Sequence, residues 1–230
     1  MENVVKASPT KEFFVNMLVR DLMLKQAIIE LIDNSIDGAR NIKKDNQFAG
    51  LKIDIKFDEN KFTIEDNCGG IPLDIAANYA FRFGRPKTVG NSNTETTGIF
   101  GIGMKRALFK MGKIFSIHSI TKTTEFKLDL NVQEWMEKDD NDWDFRFSSY
   151  EDHMENKEEN IGTKIEIIDL YSDIAAEFKS ESFEKEVIEH IQRRVGLDIV
   201  YGIEIIVNEK SLVGNNICLL YTSPSPRDCS

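Results

Sequence analysis

The sequence offers little with which to cross-link the chain or hold it in a membrane. Only 3 of its 230 residues are cysteine, too few for the framework that staples small secreted domains. No uninterrupted apolar run is long enough to span a bilayer. The first residues, Met1-Glu2-Asn3-Val4-Val5-Lys6, lack the apolar core of a signal peptide, so a cytoplasmic location away from any membrane is expected. Positive charge is short as well. The chain carries 29 Lys and Arg against 39 Asp and Glu, a net charge of -10. That excludes a general nucleic-acid-coating role and leaves room only for a local basic patch. Histidine is scarce, and His118, His153 and His190 show no ligand spacing and no setting of a phospho-accepting helix. No internal repeat is visible.

What remains has the balance of a soluble globular protein, with 41% hydrophobic and 30% charged residues. The length suits one domain or one and a half. The C-terminal run Cys218-Leu219-Leu220-Tyr221-Thr222-Ser223-Pro224-Ser225-Pro226-Arg227-Asp228 reads as a translated sequencing-library adapter, since it back-translates to a transposase mosaic end and its extension. Residues 218–230 are therefore set apart from fold reasoning. Native sequence is expected to stop near Ile217 and to continue in the natural protein. Cys218 and Cys229 go with this tail. Cys68, left alone, forms neither a disulfide nor a zinc site and reads as a small buried filler.

Apolar periodicity supplies the elements. Phe13, Phe14, Met17 and Leu18 predict a first helix, with Ser8 or Thr10 as its cap, and residues 26–40 predict a second. The alternation in Leu51–Phe57 and Phe62–Glu65 predicts a hairpin through the turn at Asp58-Glu59-Asn60-Lys61. A helix with Tyr79, Phe81 and Phe83 follows, then a long polar stretch at residues 84–97, the length of a lid. Gly98 opens a helix reaching about Met111. Strands are expected at Ile114–Ile120, Glu125–Leu130, Asp144–Phe147 and Gly162–Ile168, with exposed acidic loops at 137–144 and 151–160. Phe183–Val195 reads as helix, and 202–210 as strand and turn.

Chemistry gathers in three places. On the second helix Glu30, Asn34 and Asp37 recur at helical spacing, opposite the apolar stripe of Ile28, Leu31, Ile32, Ile36 and Ala39. No basic residue lies between Lys25 and Arg40. Such oxygen donors suit a hard cation like Mg²⁺, and a solvated acidic face is the alternative. The second hairpin strand ends in Asp66-Asn67-Cys68-Gly69-Gly70-Ile71-Pro72, where paired glycines permit unusual backbone shapes. Gly98-Ile99-Phe100-Gly101-Ile102-Gly103-Met104-Lys105 opens a helix, as a phosphate cradle would. It is neither a Walker loop nor a dinucleotide fingerprint, and taken alone it fits a packing turn equally well.

The order of these motifs, closed by the Gly162-Thr163 strand, resembles the GHKL superfamily over about residues 10–170. Its members include gyrase B subunits, a heat-shock chaperone class, histidine kinases and mismatch-repair ATPases, all sharing the Bergerat fold; the closest feel is to Microrchidia-like and bacterial defence-type proteins. The resemblance implies an α/β two-layer sandwich, a mixed and mostly antiparallel sheet covered on one face by helices. It implies an ATP-binding domain at residues 1–172 and the start of a second, transducer-like domain at 173–217. ATP and Mg²⁺ are the implied ligands, with Glu30 as general base, Asn34 as the metal ligand and Asp37 bracing the site. Asp66 would accept from the adenine amino group, with Thr163 reaching the adenine edge. Gly70, Ile71, Gly98, Gly101, Ile102, Gly103 and Lys105 complete the implied nucleotide contacts.

A cysteine stands at position 68 where the family has glycine, which leaves the local turn in question. The implied function is slow Mg²⁺-dependent ATP hydrolysis driving lid closure and ATP-dependent homodimerisation. Weak turnover is expected here, because related proteins draw a γ-phosphate lysine from the second domain. A non-hydrolysing ATP sensor and a histidine-kinase catalytic domain are the alternatives.

Overall fold

The computed structural model describes residues 7–43, 45, 47–83, 102–139, 141–156 and 158–214. The helix expected at residues 26–40 is longer, α2 at Leu24–Ile42, and it is the centre of the apolar layer. Ala27, Ile28, Leu31, Ile32, Ile36 and Ala39 are all at most 1% exposed. Each of the four large side chains removes enough surface to contribute about 1.5–3 kcal/mol. Helix α1, Lys11–Val19, precedes it and is capped by Thr10, whose hydroxyl accepts from Phe13 N–H at 3.3 Å.

The expected hairpin forms as β1 (Lys52–Phe57) and β2 (Lys61–Asp66), paired antiparallel with Ile55 opposite Ile64. After β2 the chain makes one turn of α-helix, α3 (Leu73–Ile75), and a five-residue π-helix, Ala76–Ala80. Helix α4 (Ile102–Met111) leads directly into β3 (Gly112–Ile120), which pairs with β4 (Thr124–Asn131). Helix α5 (Val132–Glu137), strand β5 (Ser149–Asp152) and strand β6 (Gly162–Leu170) follow. The described chain closes with α6 (Ser172–Phe178), α7 (Glu181–Val200), β7 (Glu204–Val207) and β8 (Lys210–Ser211).

The eight strands form one sheet in the order β5-β4-β3-β6-β2-β1-β7-β8. Every neighbouring pair is antiparallel except β1 and β7, so the sheet is mixed and mostly antiparallel, as expected. Inward positions carry Ile53, Ile55, Phe62, Ile64, Phe115, Ile117, Phe126, Ile165, Ile167 and Ile205, all buried beneath the helices. The outward positions are charged, with pairs such as Lys164–Glu65 at 3.2 Å across β6 and β2. Exposed pairs of this kind contribute at most about 1 kcal/mol each. One apolar face and one charged face are why the helices cover a single side.

Two strand expectations differ from what is observed. Residues 144–147 are not a strand; Trp143, Phe145 and Phe147 instead feed an aromatic cluster with Phe83, Phe109, Trp135 and Phe126. The strand beside β4 is β5, which runs into the segment 151–160 expected to be an exposed loop. The strand and turn read at residues 202–210 are β7 and the turn into β8, and β7 hydrogen-bonds in parallel to β1 of the same sheet. Helices α5 and α6 were not expected at all. Helix α5 is held from α1: the Lys11 ammonium, 1% exposed, donates to the carbonyls of Trp135, Lys138 and Asp139 at 2.9–3.0 Å. A cation at a helix C-terminus satisfies carbonyls that the helix cannot and complements its dipole.

Candidate functional site

Asp66 is the last residue of β2, and the register places it opposite Thr163 of β6. Thr163 in turn lies opposite Ser119 of β3. Asp66, Thr163 and Ser119 therefore form a cross-strand row on the helix-covered face, where the apolar stripes of three strands end in polar groups. Helix α2 passes over this row and supplies Ser35, whose hydroxyl donates to Asp66 Oδ2 at 2.6 Å. The Cys68 N–H donates to Asp66 Oδ1 at 2.8 Å. Burial pushes the Asp66 carboxyl above its ordinary value, while the bonds from Ser35, Cys68 and the Thr163 backbone pull the other way.

Between α2 and this row lies a cavity of about 230 Å³. Its apolar walls include Leu31, Ile64, Ile71, Met104 and Ile165, and its polar groups include Asn34, Ser35, Asp37, Asp66 and Thr163. Apolar walls with a few convergent polar groups are the usual form of a small-ligand site. Cys68 also lines it, and burial holds its thiol well above the ordinary range, so it is an inert filler rather than a nucleophile. The turn left in question by Cys68 is made by the next two residues: Gly69 and Gly70 have φ of +100° and +69°, a region in which side chains are strained.

Along α2 the three stripe residues have different surroundings. Asn34 donates its amide to the Glu30 carbonyl one turn back, at 2.7 Å. Only an NH₂ can donate to a carbonyl, so this bond fixes the amide orientation and leaves Oδ1 as the atom for a ligand. Asp37 lies 3.3 Å from Arg40, and burial raises its pKa against that partner. Asp33, off the cavity, pairs with Arg194 of α7 at 3.4 Å.

Glu30 is not part of the cavity lining. Its carboxylate rests on the start of α4: a Cβ built on Gly103 would sit 1.9 Å from Glu30 Oε2. Any side chain at position 103 would displace that carboxylate, so this glycine exists for close approach rather than for a turn. Ile102 is 47% exposed and, like Gly103, lies outside the lining. Gly98 and Gly101, and the lid expected at residues 84–97, lie outside the described residues.

Lys105 is 1% exposed, its ammonium donates to the Ala80 carbonyl at 2.8 Å, and it lies 5.9 Å from the centre of the Phe83 ring. Burial pulls its pKa down to about 8. A cation placed in this way ties α4 to the π-helix.

Two polar residues of the site went unread in the sequence. Ser35 sits among the buried residues of α2, where it passes for a tolerated small side chain. Ser119 is the next inward position after Phe115 and Ile117, and the break in that apolar alternation was its signal.

The fit to Mg²⁺ rests on the donor set. Among the described residues no group of three or more His, Cys, Asp or Glu side chains could hold a metal ion. Asn34 Oδ1 would thus be the main protein donor, with phosphate and water oxygens completing the octahedron, which is how Mg²⁺ is commonly held.

No curated protein matches the chain. The family model described as Histidine kinase-, DNA gyrase B-, and HSP90-like ATPase matches residues 22–163, more than half of the chain. The matched span opens just before α2 and closes on Thr163, so it takes in every polar residue of the cavity described above. The chain belongs to this family of ATP-binding, ATPase-type domains.

Proposed function

We propose that the cavity between α2 and the Asp66–Thr163 row takes the adenine of ATP and that the chain hydrolyses the bound nucleotide. The observation that carries this reading is the division of labour along one helix. Ser35 braces the base-reading carboxylate, Asn34 presents an oxygen one residue earlier, and Glu30 lies one turn further back against Gly103. The base end and the phosphate end of a nucleotide thus have separate partners at neighbouring turns of α2.

In the proposed reaction Glu30 Oε2 orients a water for in-line attack on the γ-phosphorus and accepts its proton. The new P–O bond forms as the bond to the β,γ-bridging oxygen breaks, giving ADP and phosphate. Positioning is the larger share of such catalysis. Asn34 Oδ1 would hold Mg²⁺, which when bound would supply positive charge to the phosphate oxygens. The sequence between Phe83 and Ile102, which carries Gly98 and Gly101, would close over the phosphates, and closure would favour pairing of two copies.

Calorimetric titration tests the binding step. The chain is expected to take up one ATP, with affinity falling at least about tenfold when Mg²⁺ is removed or Asn34 is changed to alanine. Binding unaffected by either change would remove Asn34 from its role. Saturable binding with no phosphate release would favour the sensing module over the ATPase.

A further inference from the structure

We infer that Ser119, a residue outside the cavity lining, sets the hydrogen-bond polarity of Thr163 and thereby makes position 163 a donor that reads the base. This rests on the proposal that adenine occupies the cavity with its amino group on Asp66.

The inference comes from counting protons. Ser119 is 0% exposed. Its Oγ accepts from Ile71 N–H at 2.7 Å and lies 3.2 Å from Thr163 Oγ1. A backbone N–H can only donate, so the Ile71 contact fixes Ser119 as acceptor there. The hydroxyl proton of Ser119 must then go elsewhere, and Thr163 Oγ1 is the acceptor within reach. Were Thr163 to donate instead, the Ser119 proton would be buried without a partner, at a cost of about 1–3 kcal/mol. Thr163 lines the cavity and is only half-buried, so its own proton is free to turn toward a ligand.

The polarity therefore runs Ile71 N–H to Ser119, Ser119 to Thr163, and Thr163 into the cavity. Beside it stands Asp66, a carboxylate already accepting from Ser35 and Cys68. The row presents an acceptor and, one strand over, a donor. Adenine presents the complement on its Watson–Crick edge, a donor at the 6-amino group and an acceptor at N1. Guanine presents an acceptor at O6 and a donor at N1, so both positions clash in sign. With Ser119 removed, Thr163 can rotate and offer either a proton or a lone pair, and half of the discrimination is lost. Ser119 is a positioning residue, acting through Thr163.

The test pairs a protein change with a ligand change. Affinities for ATP and for 1-deaza-ATP, which keeps the amino group but lacks the N1 acceptor, are measured for the parent, Ser119→Ala, Thr163→Val and the double variant. The parent should bind ATP about three- to tenfold more tightly than 1-deaza-ATP, the scale of one hydrogen bond. Ser119→Ala should lose part of that margin on ATP, because Thr163 must then be turned toward N1 on binding, and almost nothing on 1-deaza-ATP. It should add nothing on top of Thr163→Val. In turnover it should raise KM with kcat unchanged. Equal weakening of both nucleotides by Ser119→Ala would show a structural role and overturn the inference.

Should Ser119→Ala fail to fold, Ser119→Cys keeps a weaker donor of similar shape, and an intermediate margin on ATP alone would support the inference. The parent binding both nucleotides equally would overturn it without any variant. Failure of the underlying reading looks different: the parent would then bind GTP as tightly as ATP, or bind neither.

Discussion

Replacing Glu30 with alanine is expected to slow phosphate release about a hundredfold or more while leaving ATP affinity nearly unchanged. The split follows from position. Glu30 lies outside the cavity lining and rests on Gly103 at the start of α4, so it has no contact with the base to lose. Its task is to hold and deprotonate a water, and removing a general base costs about 10²–10⁴ in rate. Truncating Glu30 does leave Gly103 without its neighbour, so a local repacking of α4 against α2 is the competing effect. The change to glutamine, which keeps the shape and loses the base, separates them. If Glu30→Gln is as slow as Glu30→Ala and both bind ATP normally, chemistry is the cause. Turnover equal to the parent in either variant would remove Glu30 from the reaction.

Asp66→Asn is expected to weaken ATP at least about tenfold, since a hydrogen bond to a charged group is worth about 1.5–3 kcal/mol. The same change should not lower the melting temperature of the nucleotide-free chain. Burial raises the Asp66 pKa, so the folded state binds this proton more tightly than the unfolded one. Such a group contributes stability below its unfolded pKa and loses it as pH rises through the raised, folded value. Above that raised value the ionised carboxylate is therefore a burden on the fold, and the neutral amide relieves it. The asparagine oxygen can keep the Cys68 N–H while its amide donates to Ser35, whose hydroxyl turns to accept. Affinity for ATP should likewise fall in the parent as pH drops toward the raised value, because only the ionised form is a pure acceptor. A variant that melts much earlier and binds ATP normally would reverse the assignment, making Asp66 a structural group.

The central helix and the first hairpin were legible because their apolar positions follow one period over many residues. Leu24–Ile42 shows this for the helix, and the alternation through Ile53, Ile55, Phe62 and Ile64 shows it for the hairpin. The strand expected at residues 144–147 failed for a physical reason. Trp143, Phe145 and Phe147 alternate because an irregular segment lays every second ring on Phe83, Trp135 and Phe126, not because it pairs with a neighbour. The strand that does pair with β4 is Ser149–Asp152, exposed along its length, so no apolar pattern marks it. Helices α5 and α6 span 6 and 7 residues, too short to establish a period.

The candidate site was legible in part, since Asn34, Asp66 and Thr163, singled out by residue type and spacing, line one cavity. It was illegible where only a tertiary contact decides. Lys105 next to a glycine run gives no sign in the sequence of the Ala80 carbonyl bonded to its ammonium. Ser35 and Ser119 read as filler until Asp66 and Ile71 are found bonded to them.

The most direct measurement is a crystal structure of the chain with Mg²⁺ and a non-hydrolysable ATP analogue. The account predicts the adenine amino group on the Asp66 carboxylate, N1 toward Thr163, Mg²⁺ on Asn34 Oδ1 and the γ-phosphate nearest Glu30. A nucleotide bound elsewhere, or one reversed so that its phosphates meet Asp66, would contradict it.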